Sequence, residues 1–589
     1  MCGIFGYIGK GPAANNIREG LKRLEYRGYD SWGIAVLEDG NIQVQKQVGT
    51  ISKVDSEKLS SKAVIGVGHT RWATHGGVTE INAHPHISTD GSFTLAQNGI
   101  VENYQELKKD LINKGYEFRS QTDTEVIVRL VEEKLRTEKD LVTATRLAFN
   151  LLEGRNTIIL LDRNENRIIA IRNGSPLVIG IHGNEYYLAS DTLSFADKTN
   201  NIVQMKNLEM VVAHPTGIKK FDAVTGKEVE VIIEEVDIED SKIDKEGFQH
   251  FMLKEIVEQQ DSIINAVQYT DEELQPLLDA IRQAETVYTI GAGTASFSAG
   301  QIAWALRNIA EIKAIDLKSY EISGYRNLFS EKDIVIVVSQ SGETADSIEA
   351  VEIAKEHGVK IVSIVNMLGS TISRISDLAY YSRSGPEICV ASTKAFTAQV
   401  AWGTLVASAL VGRSGEYKKE IRQLSSNLKD QFTEDTFDQY RDLAKKLKKK
   451  EHFFVLGRDS NYYIALEGAL KIKEITYKHF EGFAAGELKH GVIALIDKDT
   501  PVFIITPTGE QKADLLSAAA EVKARGANVI GIGVESNELF DVHLKTNNIG
   551  STDPISNVIP FQLIAYFLGV ELGTDPDRPR NLAKSVTVK

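Results

Sequence analysis

The chain begins with the run Met1-Cys2-Gly3-Ile4-Phe5-Gly6-Tyr7-Ile8-Gly9. Its apolar residues, separated by glycines, predict a buried strand that holds the side chain of Cys2 rigidly. A small residue at position 2 lets the initiator Met be removed, which would place a thiol and a free α-amine on one residue. The amine, with an ordinary pKa of about 7.7–8.0, can then serve as the base for a thiol whose ordinary pKa is about 8.5. The run therefore predicts an N-terminal nucleophile; the alternative is a cysteine that stands here by chance.

Further polar and glycine-containing blocks follow within the first 130 residues. They are Leu24-Glu25-Tyr26-Arg27-Gly28-Tyr29-Asp30-Ser31, Gly68-His69-Thr70-Arg71-Trp72-Ala73-Thr74-His75-Gly76, Asn82-Ala83-His84-Pro85-His86, Gln97-Asn98-Gly99-Ile100-Val101-Glu102-Asn103 and Thr122-Asp123-Thr124-Glu125. In this order and spacing they resemble the class II glutamine amidotransferase domain, from residue 2 to about residue 235. That domain is an N-terminal-nucleophile hydrolase, so the resemblance implies an αββα sandwich.

The same resemblance assigns roles to residues of these blocks. Cys2 would attack the side-chain amide of glutamine, and Asn98 with the backbone N–H of Gly99 would form the oxyanion hole. The residues that would contact the bound glutamine are Arg71 at its α-carboxylate, Asp123 at its α-ammonium group, and Trp72, Thr74 and His75. Taken singly, core packing of Trp72, a surface pair for Arg71 and a helix cap at Asp123 are the alternatives.

Composition excludes several classes of protein. At 589 residues the chain is too long for one core and predicts three or four domains. A net charge of −14 argues against a nucleic-acid partner held through its phosphates. Only two cysteines occur, which excludes a disulfide framework and favours the reducing cytoplasm. We find no apolar run of about 18 residues that would predict a membrane span, and no basic-then-apolar start that would predict a signal peptide. No residue pattern predicts a metal site, and we expect no cofactor.

The second half contains an internal repeat. Three blocks, Val287-Tyr288-Thr289-Ile290-Gly291, Ser339-Gln340-Ser341-Gly342-Glu343 and Gly358-Val359-Lys360-Ile361, recur in the same order as Phe453-Phe454-Val455-Leu456-Gly457, Thr506-Pro507-Thr508-Gly509-Glu510 and Gly526-Ala527-Asn528-Val529. Each copy alternates short β-branched runs with long helical patterns, which predicts two tandem, doubly wound α/β domains with parallel sheets. The acidic stretch from Val229 to Lys245 predicts a solvated linker before them.

Two strand-to-helix turns of the first copy are predicted to carry the ligand. They are Gly291-Ala292-Gly293-Thr294-Ala295-Ser296 and Ser339-Gln340-Ser341-Gly342-Glu343-Thr344. Ligands of open α/β sheets bind at the carboxyl ends of strands, and N–H groups and hydroxyls at a helix N-terminus suit a phosphate. The second turn resembles the phosphosugar-binding loop of sugar isomerase (SIS) domains; no Lys follows the glycines, so it is not a nucleotide P-loop.

Four further blocks complete the pattern. They are Glu387-Ile388-Cys389-Val390-Ala391-Ser392-Thr393-Lys394-Ala395-Phe396-Thr397, Glu467-Gly468-Ala469-Leu470-Lys471-Ile472-Lys473-Glu474, Gly486-Glu487-Leu488-Lys489-His490-Gly491 and the tail Asn581-Leu582-Ala583-Lys584-Ser585-Val586-Thr587-Val588. With the N-terminal domain, they resemble the glutamine–fructose-6-phosphate aminotransferase (isomerising) family over essentially the whole chain. This implies a glutaminase domain at 1–240, SIS domains at 250–430 and 435–575, and a tail, 576–589, over the sugar site.

The family resemblance also implies the chemistry. Ammonia released at Cys2 would pass through a shielded interior to fructose 6-phosphate, whose C2 ketone forms a Schiff base with Lys584. Glu474, supported by Lys471, would move a proton from C1 to C2, and His490, supplied by the partner subunit of a homodimer, would help to open the ring. The product would be glucosamine 6-phosphate, in the first step of amino-sugar (UDP-N-acetylglucosamine) biosynthesis. The implied sugar-binding residues are Thr294, Ser339, Gln340, Ser341, Thr344, Val390, Ser392 and Ala583.

Residue types alone leave other interpretations open. Lys584 would ordinarily be a solvated tail residue, Lys471 and Glu474 a surface ion pair, and His490 a cap or core residue. Cys389 is interpreted as a buried structural residue. The rival functions are another class II amidotransferase, of the asparagine synthetase or phosphoribosyl-amine type, and a phosphosugar sensor without turnover.

The chain departs from the family pattern in three places. Ala292 and Ala295 stand where the family usually has Cys and Ser, so that one contact to the sugar phosphate is lost or passes to Ser296. Asn156-Thr157-Ile158 replaces a small-aromatic-Ala pattern, which we interpret as repacking. Thr508 lacks the hydroxyl cluster of the first repeat, so the phosphate is placed in the first repeat only.

Overall fold

The computed structural model describes residues 2–53, 61–236, 245–509 and 511–587. Part of the predicted linker and the removal of Met1 therefore lie outside the described residues. The chain divides into two compact units, one formed by Met1–Lys242 with Ala583–Lys589 and the other by Ile243–Leu582.

The first unit contains two antiparallel sheets. Its strands are β1 (Gly3–Ile8), β2 (Ser31–Glu38), β3 (Asn41–Val48), β4 (Ile65–Arg71), β5 (His86–Ile87), β6 (Phe93–Gly99), β7 (Asn156–Asp162), β8 (Arg167–Asn173), β9 (Val178–His182), β10 (Glu185–Ala189), β11 (Asn201–Gln204), β12 (Glu209–His214), β13 (Gly217–Asp222), β14 (Glu228–Val229) and β15 (Glu234–Glu235). One sheet has the order β15-β11-β9-β10-β1-β4-β2-β3, and the other has the order β14-β13-β12-β8-β7-β6-β5.

Helices cover the outer faces of these two sheets. They are α1 (Ala13–Arg23), α2 (Tyr104–Asn113), α3 (Thr124–Leu135) and α4 (Leu141–Phe149). Alternate residues of β1 explain the layering, because Ile4 packs into the core between the sheets and Phe5 packs with α1 on the other side. Helices α3 and α4 pack on β6 to β8. The predicted αββα sandwich is confirmed.

The second unit alternates strands and helices. Its elements are α5 (Phe251–Val257), α6 (Gln259–Ala266), α7 (Asp271–Gln283), β16 (Val287–Gly291), α8 (Thr294–Ile309), β17 (Ala314–Lys318), β18 (Ile334–Ser339), α9 (Ala345–Glu356), β19 (Lys360–Val365), α10 (Thr371–Ile375), β20 (Leu378–Tyr381), α11 (Lys394–Leu410), α12 (Ser414–Gln431), α13 (Glu434–Leu447), β21 (His452–Gly457), α14 (Ser460–Thr476), β22 (His479–Ala484), β23 (Pro501–Ile505), α15 (Lys512–Lys523), β24 (Asn528–Gly533), β25 (Val542–Lys545) and α16 (Asp553–Leu572).

The two sheets of this unit have the same topology. Their orders are β17-β16-β18-β19-β20 and β22-β21-β23-β24-β25, and all pairings are parallel. In each sheet the first strand in sequence pairs with the second strand on one side and with the third strand on the other side. The strand order therefore reverses between β16 and β18 and between β21 and β23. Such a reversal opens a crevice at the carboxyl ends of the strands. The predicted tandem doubly wound domains are confirmed.

Helix α16 is apolar along most of its length. The segment Gly550–Leu572 is long and apolar enough to cross a membrane by length and composition, but 83% of its apolar window is buried inside the fold. It packs on α13 and α14 of the second unit, and a helix that is apolar on all sides is typical of the buried core of a large domain.

Candidate functional site

Cys2 lies immediately before β1 and is partly exposed. The backbone N–H of Trp72 donates to its Sγ at 3.3 Å, and the thiol lies 3.6 Å from the carbonyl oxygen of the same residue. The pairing of β1 with β4 explains this contact, because Gly3 lies opposite Thr70. Burial raises the pKa of the Cys2 thiol, so an unassisted thiol would be mainly protonated at neutral pH. A base near the sulfur is therefore needed for nucleophilic attack.

Asn98 and Gly99 lie at the end of β6, and β6 packs against β1. Asn98 is 3% exposed, and its Oδ1 has no hydrogen-bond partner among the described residues. Gly99 has φ of +122°, and a Cβ there would stand 2.0 Å from the carbonyl oxygen of Arg155. Only glycine fits this backbone. The strand end thus places the Asn98 amide and a backbone turn in the layer that faces Cys2.

Arg71 is buried at the end of β4 and holds the loop that follows it. Its guanidinium donates to the carbonyl oxygens of His75 at 2.5 Å, Gly76 at 3.2 Å and Gly77 at 3.2 Å. The surface-pair interpretation of Arg71 is therefore wrong, since this side chain is 3% exposed. The loop also contains Trp72, Thr74 and His75, so Arg71 shapes the segment that carries the other predicted glutamine contacts.

Asp123 precedes α3 and is 4% exposed. Its Oδ2 accepts the backbone N–H of Val101 at 2.8 Å, and its side chain makes no capping hydrogen bond to α3. The helix-cap interpretation is therefore wrong. Burial raises the pKa of the Asp123 carboxyl group, and a cationic ligand would compensate for that desolvation.

The predicted phosphosugar loop joins β18 to α9 at the crevice of the first parallel sheet. The hydroxyl of Ser339 accepts the backbone N–H of Gly342 at 2.9 Å, and the hydroxyl of Ser341 accepts the backbone N–H of Glu343 at 3.1 Å. Thr344 is the N-cap residue of α9, and its side chain makes no capping bond. Gly342 has φ of +64°, and a Cβ there would meet Ser370 at 2.1 Å. These contacts shape a tight turn beside Gln340.

The neighbouring turn, which contains Ala292 and Ala295, leads into α8. The hydroxyl of Ser296 donates to the carbonyl oxygen of Gly293 at 2.6 Å and accepts from Nζ of Lys318 at 2.7 Å. Its oxygen is therefore engaged within the turn, and Lys318 from the adjacent strand β17 is held beside it. Burial lowers the pKa of Lys318.

Two carboxylates and one ammonium group form a buried cluster on α14. Nζ of Lys471 lies 2.6 Å from Oε2 of Glu474 and 3.5 Å from Oε1 of Glu467, and it donates to the hydroxyl of Thr294 at 3.0 Å. Lys471 is 1% exposed and Glu467 is 0% exposed. The surface-pair interpretation of Lys471 and Glu474 is therefore wrong. Thr294 starts α8 in the first repeat, so the cluster joins the two repeats.

The charges of this cluster depend on one another. Burial raises the pKa of Glu467 to about 8. Burial works against the charge of Lys471, but the two carboxylates outweigh it and raise the pKa of Lys471. Glu467 was given no role from the sequence, although its spacing of four residues before Lys471 and seven before Glu474 places all three on one helix face.

The loop before α11 contains Val390 and Ser392. The carboxylate of Glu387 accepts the Ser392 hydroxyl at 2.9 Å and the backbone N–H groups of Thr393 and Ala395, the second of which lies in the first turn of α11. The N–H of Val390 donates to the carbonyl oxygen of Asp577 at 3.1 Å. Cys389 is 0% exposed, and its thiol contacts the carbonyl oxygen of Pro576 at 3.3 Å. The structural interpretation of Cys389 is confirmed by this burial.

Three predicted residues take part in none of the contacts described above. His490 is exposed at the end of a 3₁₀ turn, Ala485–His490. Ala583 and Lys584 belong by their contacts to the first unit. The roles of these residues in a sugar site stay predictions. Among the described residues, no group of three or more His, Cys, Asp or Glu side chains is arranged to hold a metal ion.

Comparison with known proteins agrees with the motifs. The SIS domain family matches residues 280–409 and 446–567, and the glutamine amidotransferase domain family matches residues 69–197. The glutamine–fructose-6-phosphate aminotransferases (isomerizing) of Pyrococcus horikoshii and Aquifex aeolicus are 40% and 41% identical to the chain, over 100% of both proteins in each case. The C-terminal domain of glucosamine-fructose-6-phosphate aminotransferase from Francisella tularensis aligns with a TM-score of 0.54 and 32% identity, over 57% of this chain and 100% of that domain. The chain therefore belongs to the glutamine–fructose-6-phosphate aminotransferase (isomerizing) family.

Proposed function

We propose that this enzyme transfers the amide nitrogen of L-glutamine to fructose 6-phosphate and isomerises the adduct, giving glucosamine 6-phosphate and glutamate. The full-length identity of about 40% with enzymes of that name is the observation that carries the proposal. The reaction is the first step of amino-sugar (UDP-N-acetylglucosamine) biosynthesis. A half-buried thiol in the first unit and a buried acid–base cluster in the second unit supply the two kinds of chemistry it needs.

The first half-reaction is amide hydrolysis at Cys2. Its sulfur attacks the glutamine amide carbon, and the resulting oxyanion accepts hydrogen bonds from the side-chain N–H of Asn98 and the backbone N–H of Gly99. Donors of this kind typically contribute about 3–4 kcal/mol each in the transition state. Collapse of the intermediate expels ammonia, and water then releases glutamate from the thioester. The α-amine of Cys2, freed by removal of Met1, is the base.

Recognition of glutamine uses the loop after β4 and the start of α3. Asp123 receives the α-ammonium group, and its desolvated carboxylate favours a cation. Arg71 pairs with the α-carboxylate, since a planar guanidinium suits bidentate contact; its existing bonds to the loop carbonyls hold it in place. Trp72, Thr74 and His75 complete the pocket from the same loop.

The second half-reaction is amination and isomerisation of the sugar. Lys584 condenses with the C2 ketone and expels water, and ammonia then displaces the lysine to give the fructosimine. Glu474 removes a proton from C1 and returns it to C2, while the C1 hydroxyl gives its proton to the imine nitrogen. C1 thereby becomes an aldehyde and C2 carries an amine. Lys471 balances the charge of Glu474 during the transfer, and a carboxylate is an effective base when its surroundings tune its pKa. His490 assists ring opening. The role of Lys584 rests on the sequence resemblance alone.

The sugar phosphate is proposed to bind in the turn between β18 and α9. Ser339, Gln340, Ser341 and Thr344 supply hydroxyl and backbone donors at the N-terminus of α9, where anions are favoured. Thr294, Val390, Ser392 and Ala583 contact the rest of the sugar. The exposed His490 suits delivery to the site of a second copy, so we propose a homodimer, in the cytoplasm.

A product assay tests the proposal. The protein is supplied with L-glutamine, with and without fructose 6-phosphate, and glutamate and glucosamine 6-phosphate are quantified. We expect near-equal amounts of both products and faster glutamate release when the sugar is present. Glutamate without amino sugar would contradict the synthase function, and binding of the sugar without turnover of glutamine would favour a phosphosugar sensor.

A further inference from the structure

Gln97 precedes the proposed oxyanion residues and is 1% exposed. Its side-chain Nε2 donates to Oδ1 of Asn156 at 2.6 Å, and its Oε1 accepts the hydroxyl of Thr124. Its backbone N–H meets Nδ1 of His84 at 3.5 Å, and its carbonyl oxygen meets Nε2 of His69 at 2.9 Å. Every polar group of this residue thus has a partner inside the protein, as burial requires.

The hydrogen bonds around Gln97 run in one direction. His84 accepts at Nδ1, so the neutral ring carries its proton on Nε2, which lies 3.0 Å from the hydroxyl of Thr124. That hydroxyl donates its own proton to Gln97, and the Gln97 amide donates to Asn156. Asn156 in turn donates to the carbonyl oxygen of Glu153 at 3.1 Å. Aligned bonds of this kind strengthen one another inside a protein.

Two residues of this network are adjacent in the chain to residues of the two proposed glutamine subsites, the oxyanion hole and the ammonium-binding carboxylate. Gln97 is joined by one peptide bond to Asn98, which is followed by Gly99, at the oxyanion end. Thr124 is joined by one peptide bond to Asp123, at the ammonium end. Strand β6 and helix α3 are separate elements, and the Thr124–Gln97 bond ties them at the point where the two subsites begin.

We propose that Gln97 is a positioning residue that sets the distance between the oxyanion hole and the ammonium-binding carboxylate. It acts through Asn98 and Thr124 and does not touch the substrate. The inference rests on the proposed glutaminase function and deepens it. It also reinterprets Asn156, which the sequence suggested only as repacking: the Asn156 side chain fixes the orientation of the Gln97 amide. Burial lowers the pKa of His84 well below its ordinary value, so the ring stays neutral and can accept from Gln97.

Two substrates separate a positioning role from a merely structural one. L-Glutamine presents an amide to the oxyanion hole and an α-ammonium group to Asp123. Glutaramate, which is glutamine without its α-amino group, keeps the amide but lacks the group that Asp123 binds. Gln97→Met keeps the size of the side chain and removes both of its hydrogen bonds. We expect the preference for L-glutamine over glutaramate, as a ratio of kcat/KM values, to fall at least fivefold in Q97M. In this variant the Asp123 carboxylate is no longer held at the correct distance from the oxyanion hole.

Two further variants make the result decisive. Thr124→Val removes the hydroxyl that donates to Gln97, so it must lower the preference for L-glutamine as well. If Q97M does not fold, T124V provides the test. Thr199→Val removes two hydrogen bonds of a buried residue far along the chain from this network. The Thr199 hydroxyl donates to the carbonyl oxygen of Ile181 at 2.6 Å and accepts from the backbone N–H of Asn201 at 3.0 Å. T199V controls for lost stability and should keep the wild-type preference.

The outcomes are distinguishable. A lower preference in each network variant that folds, with T199V unchanged, supports the inference. An unchanged preference in either network variant that folds overturns it, even if that variant is less stable or hydrolyses both substrates more slowly. A wild-type protein that does not hydrolyse glutamine overturns the proposed glutaminase itself, and the inference with it.

Discussion

The ammonium group of Lys471 lies 2.6 Å from Oε2 of Glu474, one turn further along the same helix, in a site where Lys471 has almost no exposure to solvent. At the surface such a pair contributes only a few tenths of a kcal/mol. In the protein interior neither charge of the pair can be left alone, because removal of one partner leaves the other charge buried and unpaired in a medium of low dielectric constant. Glu467 also lies 3.5 Å from this lysine, but burial raises its pKa to about 8, so at neutral pH Lys471 mainly balances the charge of Glu474.

We therefore expect Lys471→Met to destabilise the second unit and to abolish formation of glucosamine 6-phosphate. Breaking a buried ion pair on one side typically costs about 3–5 kcal/mol. Urea unfolding and the product assay measure the two effects, while glutamine hydrolysis in the first unit should persist. The double variant K471M/E474Q should recover part of the lost stability because it removes the carboxylate that pairs with Lys471 at 2.6 Å. An unchanged unfolding midpoint in K471M would contradict the buried cluster.

Alkylation should distinguish the two cysteines. Cys2 is partly exposed and Cys389 is fully buried, so iodoacetamide should add one equivalent to the native protein and none to the Cys2→Ala variant. Because burial raises the pKa of the Cys2 thiol and the thiolate is the reacting form, the rate should keep increasing with pH through the neutral range. Mass spectrometry at several pH values measures both. Cys389→Ala is the control and should still take up one equivalent.

Gly99→Ala should damage the oxyanion hole. The new Cβ would stand 2.0 Å from the carbonyl oxygen of Arg155 at a φ of +122°, so either β6 or β7 must move. We expect glutamine hydrolysis to fall by about 100-fold or more, the effect of losing one oxyanion donor. Gly115→Ala is the matched control, with φ of +88° but nothing within 4 Å of the added Cβ. It should lose about 1–2 kcal/mol of stability through its positive φ and keep its activity; equal effects would contradict the close approach at Gly99.

The first unit should lose stability in mild acid. Burial lowers the pKa of His69 to about 3 and the pKa values of His84 and His86 well below the ordinary value. The unfolded chain therefore binds protons below about pH 6.5 that the folded chain does not, so the free energy of unfolding decreases as pH falls. Between pH 7.5 and 5.5 the loss is about 1.4 kcal/mol for each histidine, or about 4 kcal/mol for three.

Urea unfolding of the wild type and of His86→Asn at both pH values tests this. The variant should lose about a third of the histidine contribution to the pH dependence, because one of three buried imidazoles is gone. Equal pH dependence in the two proteins would show that His86 is protonated in the folded state. The substitution His357→Asn, on a partly buried histidine of the second unit, serves as the control.

Short motifs predicted most of the fold and much of the candidate site. The alternation of β-branched runs with helical patterns predicted both parallel sheets, because the pattern of neighbouring residues distinguishes a strand from a helix. The internal repeat indicated that the two domains share one topology. The pairings made by buried polar side chains were not predictable. Gln97 and Glu467 were quoted within motifs without a role, since a glutamine or a glutamate in a short block does not reveal whether it is buried.

By itself, the sequence determined the order of the glutamine amidotransferase and SIS domains and the positions of the strand-to-helix turns, and it predicted the nucleophile at Cys2. These features depend on residues that are close together in the chain. Only the tertiary structure decided that Lys471 is buried between two carboxylates, that Asp123 bonds to Val101 and not to its own helix, and that Gln97 joins β6 to α3. The pairings of Asp123 and Gln97 unite segments that are far apart in sequence, and the helical spacing of the Lys471 group does not reveal that this face is buried. Burial then gives them their energetic weight, because polar groups removed from water must find partners inside the protein.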